Sequence, residues 1–388
     1  MGIAMIDRAA LARRVEALLP GLARPSRVDD GLRRAASYRT AAASYLENRR
    51  RARAGREDLL PLYFIWTVSR RCNFLCDYCD DHRGRRYPEL PRDGELDTAA
   101  GLEVLRVMRT RCPSVYFAGG EPTLRDDLPA WLREARALRY YPTILNTNGS
   151  AIVKRLRQPA WSTALADLDV VVVSLDALDP ARLASMWGYP RPTEVIEAIH
   201  VLAALARPLR FALKVNCVIQ PGRISDARAV LDFARDLGIG FAPVPVNRGP
   251  AVDGALADDP DYPALVELIL ERKRAGQNIV GSERMLRRLL SSAPLVCRNT
   301  LKPHVDHDGR VFWPCKASVA VEPRTFDVRD FDHVDALWAQ ASSAIDPRGF
   351  STRCGAKCNW AQNYTTDAYA HGLTHPLSLL GEVRSLVA

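Results

Sequence analysis

The chain has 388 residues, 47% hydrophobic and 26% charged, with 54 Lys and Arg against 45 Asp and Glu, a balance that excludes a disordered or collagen-like chain. It is long enough to bury at least one large core. No apolar run approaches the roughly 20 residues needed to span a bilayer, and the N-terminus lacks an apolar segment with a cleavage site, so the cytoplasm is the expected location. Nine cysteines without an export signal point to a reducing compartment in which thiols act as metal ligands.

Residues 1–60 carry 13 arginines against seven acidic residues and supply six of the nine net positive charges. Their Ala-rich composition and helical spacing predict helices over 6–19 and 31–53. The cluster Arg49, Arg50, Arg51 and Arg53 has the charge to meet phosphate, anionic lipid or an acidic peptide, but a solvated helix face needs no such partner. No aromatic residues interleave with it as they do where nucleic-acid bases stack. Neither nucleic acid nor a membrane is expected as a partner.

From Pro61 onward, strand-like and helix-like segments alternate. Strands are predicted over 62–68, 115–118, 143–146, 170–175, 211–219 and 239–246. Helices are predicted between them, over 98–111, 128–138, 151–165, 193–205 and 225–237. Near-continuous apolar strands separated by helices imply a parallel sheet covered on its outer face. Six units rather than eight predict an α/β fold, a partial (β/α)6 TIM-like barrel over 61–250, preceded by a helical extension over 1–60. Ligands of such folds sit at the carboxyl ends of the strands.

The first strand runs into Cys72, Cys76 and Cys79, spaced C-x3-C-x2-C, so one short loop can turn three thiolates towards one metal centre. Three ligands are one too few for a closed tetrahedral zinc site. The second strand ends in Ala118-Gly119-Gly120-Glu121-Pro122, whose glycines allow close backbone approach and whose Glu121 adds an acceptor. Asn148 follows the third strand and Ser174 ends the fourth, while Asn216 lies in the fifth; each also suits a plain cap or turn.

The triplet, with Tyr78 before its last cysteine, resembles the signature of the radical S-adenosylmethionine (SAM) superfamily. The resemblance implies a [4Fe–4S] cluster on Cys72, Cys76 and Cys79 with one iron open to SAM. It makes Gly119, Gly120, Glu121 and Pro122 the motif that binds the SAM amino group. It also implies that Asn148, Ser174 and Asn216 reach the ribose or methionine carboxylate, and that Val218, Ile219 and the Tyr78 backbone lie near adenine.

Residues 251–260 read as a Pro/Asp/Gly-rich linker and 262–275 and 282–290 as helices, making 251–293 a connecting segment before a small α+β unit over 294–388. That unit holds Cys297, Cys315, Cys354 and Cys358, spaced C-x17-C-x38-C-x3-C. Strands over 303–306 and 311–313 flank a turn with Asp308-Gly309. Four thiolates close a zinc shell as readily as an iron–sulfur cluster. The stretch 308–315 resembles the opening hairpin of the auxiliary-cluster domains called twitch (four cysteines) and SPASM (seven), which implies a second [4Fe–4S] cluster. One extra residue before Cys315 and the C-x3-C ending depart from the usual twitch pattern. His304 and His307 are expected on the hairpin surface, and Cys112, Cys217, Trp360 and Tyr364 in the core. Gly372 and Pro376 argue against a helix that could pair His371 with His375, and 377–387 reads as a packing helix.

The resemblance implies reductive cleavage of SAM to a 5′-deoxyadenosyl radical that abstracts hydrogen from a substrate, with an external electron donor such as flavodoxin or ferredoxin. A fully ligated auxiliary cluster suits electron transfer, and four such cysteines resemble the aminocyclitol dehydrogenases of aminoglycoside biosynthesis. The leading expectation is an oxidoreductase acting on a small polar sugar, cyclitol or nucleoside-like substrate. Alternatives are a redox-neutral epimerase or decarboxylase, a ribosomal-peptide maturase, a lipid-modifying enzyme, and a zinc-stabilised scaffold without activity. Asp176 and Arg248 are expected near the strand ends, with no assignable proton-transfer role.

Overall fold

The structure is a computed structural model that describes residues 8–79, 85–295, 297–316, 322–354, 358–379 and 381–382, the side chains of 8 and 351–354 excepted. The predicted start of the first helix at residue 6, the end of the last one, and the Cys354 side chain lie outside the described residues. Among the described residues no helix is long and apolar enough to cross a membrane.

Two helices open the chain, α1 (Arg8–Leu18) and α2 (Arg27–Arg53). The Ser26 hydroxyl caps α2 by accepting from Asp29 N–H, Asp29 and Asp30 sit in the first turn, and Arg50, Arg51 and Arg53 sit in the last, as the helix dipole favours. Ser26→Ala should lower stability by about 1 kcal/mol, read as a reduced midpoint in denaturant titration.

The buried face of α2 is polar, not the apolar stripe expected. Arg33 donates to both Asp169 oxygens (2.5 and 2.6 Å) and to the Tyr140 carbonyl (2.8 Å). Ser37 donates to the Pro113 carbonyl (2.9 Å), and Asn48 exchanges hydrogen bonds with the Leu60 backbone (2.6 and 3.0 Å). These partners lie just before strands, so α2 satisfies backbone groups that the sheet leaves open at that end. Within the basic cluster Arg51 pairs with Glu47 and Asp58 and Arg49 lies over the Tyr45 ring, while Arg50 and Arg53 are exposed.

The central strands are β1 (Tyr63–Ser69), β2 (Ser114–Gly119), β3 (Thr143–Thr147), β4 (Val170–Ser174), β5 (Ala212–Ile219) and β6 (Gly240–Pro245), all parallel and neighbouring in chain order. Alternation splits each strand into two faces. Phe64, Trp66, Val115, Phe117, Leu145, Val171, Val173, Val215 and Ile219 pack into the large core, whereas Ile144, Val170 and Val172 form a separate cluster with Tyr116 and Ala212 on the opposite face. Between the strands run α3 (Thr98–Arg109) and α4 (Leu128–Ala137). The helix predicted over 151–165 is divided into α5 (Ile152–Arg155) and α6 (Ala164–Asp167) by a 3-10 turn at Pro159–Trp161, where proline lacks the N–H that helix continuation requires. Then come α7 (Pro180–Trp187), α8 (Thr193–Leu209) and α9 (Ile224–Asp236).

Residues 251–260 are not an open linker. They contribute to a hairpin, β7 (Asn247–Arg248) with β8 (Ala251–Val252), and to α10 (Gly254–Ala257), followed by α11 (Tyr262–Arg274) and α12 (Glu283–Leu290). The C-terminal strands β9 (His304–Val305), β10 (Arg310–Trp313) and β11 (Arg324–Asp327) join the main sheet, because β9 pairs in parallel with β1 on the side away from β2. The result is one nine-stranded sheet, followed by α13 (Val334–Ala344), α14 (Pro347–Cys354) and α15 (Asn363–Thr374). Contrary to expectation, α15 runs through Gly372. A side chain there would meet Leu379 at 2.3 Å, so glycine serves close packing rather than a break. His371 and His375 have stacked rings with centroids 4.2 Å apart.

Candidate active site

The loop after β1 is held from outside by α7. Leu75 N–H donates to the Trp187 carbonyl (2.8 Å) and Asp77 N–H to the Met186 carbonyl (3.0 Å), while Phe74 stacks on Trp187 and Tyr189. Tyr78 donates its hydroxyl to Asp176, which also accepts from Trp187 Nε1 (2.7 Å) and Val218 N–H (2.8 Å). Asp176, which the sequence left as a candidate at the strand ends, is therefore a buried clamp between the loop, α7 and β5. Burial pushes its carboxyl above the usual range.

On the inner side, the Cys72 sulfur accepts from Phe74 N–H (3.4 Å) and faces the Asn148 amide at 3.9 Å. Asn148 also donates to Asn73 Oδ1 (2.9 Å), placing the end of β3 against the cysteine loop. Burial, then neighbouring negative charge, pushes Cys72 up to about 12, and Cys76 is raised for the same reasons. A donor set that burial holds protonated becomes a thiolate set only when cations sit among the sulfurs.

The glycine loop lies against the same segment. Gly120 N–H donates to the Ser69 carbonyl (2.8 Å) and Glu121 N–H to the Arg71 carbonyl (2.7 Å). Gly119 has φ +127°, and a side chain on Gly120 would stand 2.3 Å from the Arg71 carbonyl oxygen. The Glu121 carboxylate, expected to face a ligand, is turned into the protein. It accepts from Thr123 N–H (2.9 Å), Thr123 hydroxyl (2.5 Å), Thr147 hydroxyl (2.6 Å) and Asn148 N–H (2.6 Å). Pro122 starts a buried 3-10 turn, Pro122–Leu124.

Ser174 and Asn216 are register partners on β4 and β5, both half-buried on the face away from the helices. Ile219 faces the other way. It is wholly buried in the large core, so only its backbone can reach the site, while half-buried Val218 alternates onto the inner face. Sequence reading missed Asn146. It shares the inner face with Ile144, and its side-chain oxygen is buried without a hydrogen-bond partner among the described residues. The signal is the alternation within β3 itself, which places Asn146 inward.

The model of the radical SAM superfamily matches residues 66–234, from within β1 through the cysteine loop, the glycine loop and the strands to β5. Residues 66–234 are a radical SAM domain. Domains of this superfamily use a [4Fe–4S] cluster and SAM. A GTP 3′,8-cyclase 2 of Mycobacterium bovis is 38% identical over 180 residues, covering 44% of this chain and 46% of the relative. A GTP 3′,8-cyclase of Mycobacterium marinum is 37% identical over 177 residues with the same coverage. The chain spans about half the length of the curated relatives it matches. Among solved structures, Streptococcus suis SuiB bound to S-adenosylmethionine superposes with a TM-score of 0.57 at 19% identity, covering 74% of this chain and 68% of SuiB. The structure of anSMEcpe with bound AdoMet superposes at 0.51 and 17% identity, covering 84% and 99%. At such identities the likeness is one of fold.

Cys72, Cys76 and Cys79 are thiols carried on one loop, three soft donors of the kind that hold an iron–sulfur cluster.

Beside Cys79 and Tyr78, a cleft of about 520 Å³ extends to Gln220 and to the β7–β8 hairpin. The amide nitrogens of Gln220 and Asn247 are buried at its wall, without hydrogen-bond partners among the described residues. Arg248 lines it too, exposed and paired with Asp253 (2.6 Å), and Arg86 faces Glu89.

The second cysteine set lies past this hairpin. Val252 N–H donates to Asn359 Oδ1 (2.6 Å) and Ala361 N–H to Asn247 Oδ1 (3.4 Å), tying the cleft wall to the turn after Cys358. Cys297, Cys315 and Cys358 are thiols around Lys302. Burial pulls the Lys302 ammonium down to about 7, and the three cysteines pull the other way. His304 and His307 are buried, not on the surface: His304 stacks on Trp360, and His307 Nε2 meets the Asp93 carbonyl (3.0 Å). Cys112 and Cys217 are fully buried in the core.

Proposed function

We propose that the chain is a radical SAM oxidoreductase acting on a small polar substrate of the sugar, cyclitol or nucleoside class. The observation that carries this reading is the polar cleft whose wall begins at Tyr78 and Cys79, so that a molecule within it lies beside the cysteine loop. When bound, the [4Fe–4S] cluster supplies one electron to SAM, whose cleavage gives the group that abstracts hydrogen. Cys72, Cys76 and Cys79 hold that cluster, and Asn148, Ser174 and Asn216 bind SAM along the inner face. The protein's own work is positional. Tyr78, Asp176 and Trp187 fix the loop, while Gln220 and Asn247 offer unused donors that orient an acceptor-rich ligand.

The name GTP 3′,8-cyclase borne by the curated relatives supports the nucleoside-like end of this substrate range. In this reading 61–250 is the SAM-binding barrel, 1–60 closes the strand starts, and 251–293 leads to a unit over 294–388 whose cysteines hold a second [4Fe–4S] cluster. An external flavodoxin or ferredoxin supplies electrons.

Anaerobically reconstituted protein, reduced with dithionite and given SAM, should release 5′-deoxyadenosine, faster when a nucleoside-like, sugar or cyclitol substrate is added. Protein that holds zinc alone and yields no 5′-deoxyadenosine would overturn the reading.

A further inference from the structure

Lys302 follows the 3-10 turn Asn299–Leu301 and is 1% exposed. Its Nζ donates to the Gln362 carbonyl (2.7 Å) and towards Asn363 Oδ1 (3.4 Å), and lies 5.1 Å from the centre of the Trp360 ring. Among the described residues no carboxylate forms an ion pair with it, and the groups that act on its charge are Cys315, Cys297 and Cys358. Two neutral acceptors and a ring face do not compensate an ammonium taken out of water; an anion must. Three protonated thiols carry no charge. Three thiolates on a metal centre do.

The same residues form a short relay. Asn363, itself fully buried, receives Lys302 at its oxygen and donates its amide to the Cys358 sulfur (3.6 Å). Charge and N–H···S hydrogen bonding both favour the more negative, reduced form of a thiolate-bound cluster.

We propose that Lys302 is the counter-charge of the anionic centre held by Cys297, Cys315 and Cys358, and that it raises the reduction potential of that centre. The proposal rests on the reading of the C-terminal cysteines as an iron–sulfur site. The redox step concerned is uptake of one electron by the cluster, with no bond made or broken.

The test uses the full-length chain with Cys72, Cys76 and Cys79 replaced by alanine, so that only the C-terminal centre is loaded. Iron and acid-labile sulfide are measured, and the midpoint is read by dithionite titration followed by electron paramagnetic resonance. In this background, Lys302→Met should keep its iron yet shift the reduction equilibrium roughly tenfold towards the oxidised form, about 59 mV for a one-electron couple. Lys302→Arg should hold the midpoint close to that of the parent. A Met variant with full iron and an unchanged midpoint overturns the proposal. If the Met variant loses its iron, retention of iron and midpoint by Lys302→Arg supports the counter-charge, and loss in both variants overturns it in favour of packing. A parent without iron overturns the cluster reading itself, and the role of Lys302 with it.

Discussion

Gly120→Ala protein is expected to incorporate little iron in its N-terminal site and to cleave SAM roughly a thousandfold more slowly than the parent, a loss of about 4 kcal/mol in transition-state stabilisation. The added methyl would stand 2.3 Å from the Arg71 carbonyl oxygen and 2.7 Å from its carbon, both backbone atoms that no rotamer change can move. Nor can the two segments part freely. Gly120 N–H is bonded to Ser69 and Glu121 N–H to Arg71 on either side of the contact. The displaced residue directly precedes Cys72, so the error passes straight to the first thiolate, and a misplacement of about 1 Å is enough to disable such a site. Cys76→Ala should give the same phenotype if, as proposed, Cys76 holds the cluster. Gly21→Ala, at a position with nothing within 4 Å of the new atom, serves as the control. Normal iron content and normal 5′-deoxyadenosine release in Gly120→Ala would show that the close approach is dispensable.

Glu121→Ala is expected to destabilise the fold by about 4 kcal/mol or more, because four buried donors lose their acceptor at once and each such orphan costs about 1–3 kcal/mol. Thermal unfolding should show a large drop, with Glu121→Gln in between, since its amide keeps one acceptor and turns a donor towards donors. The pH response has a definite sign. Burial raises the Glu121 carboxyl above its ordinary 4.5, against the pull of its hydrogen bonds. The folded state therefore binds this proton more tightly than the unfolded chain does. The contribution of Glu121 to stability is complete below 4.5 and declines as pH rises through the raised folded value. Glu121→Gln should remove that slope; an identical pH–stability profile for the two proteins would contradict the assignment.

The barrel was readable because its strands are dense in β-branched residues, as in Val170–Ser174, and its helices carry apolar residues at helical spacing. What the sequence concealed was polar burial. Arg33, Ser37 and Asn48 look like solvent residues until the carbonyls at the strand starts are placed beside them. The spacing of Cys72, Cys76 and Cys79 was enough to put three thiols on one loop after β1, because residues that close in sequence must travel together. Glu121 was not: only the fold shows that Thr147 and Asn148 consume its oxygens. Ile219 and Val218 could have been told apart by phase, because Ile219 shares its parity with the core residues Val215 and Cys217. Lys302 gives no signal in a single chain, since its significance lies in the distant cysteines around it.

The pairing of β9 with β1 binds Ile65 to His304 and Trp66 to Val305 in register. The strand that launches the first cysteine loop therefore has the hairpin leading to Cys315 as its other neighbour. Trimming the chain before residue 300 would strip β1 of that partner and leave its amides and carbonyls as an open template for a stray strand. The six-stranded part therefore cannot be cut out cleanly, because the C-terminal strands cover its β1 edge.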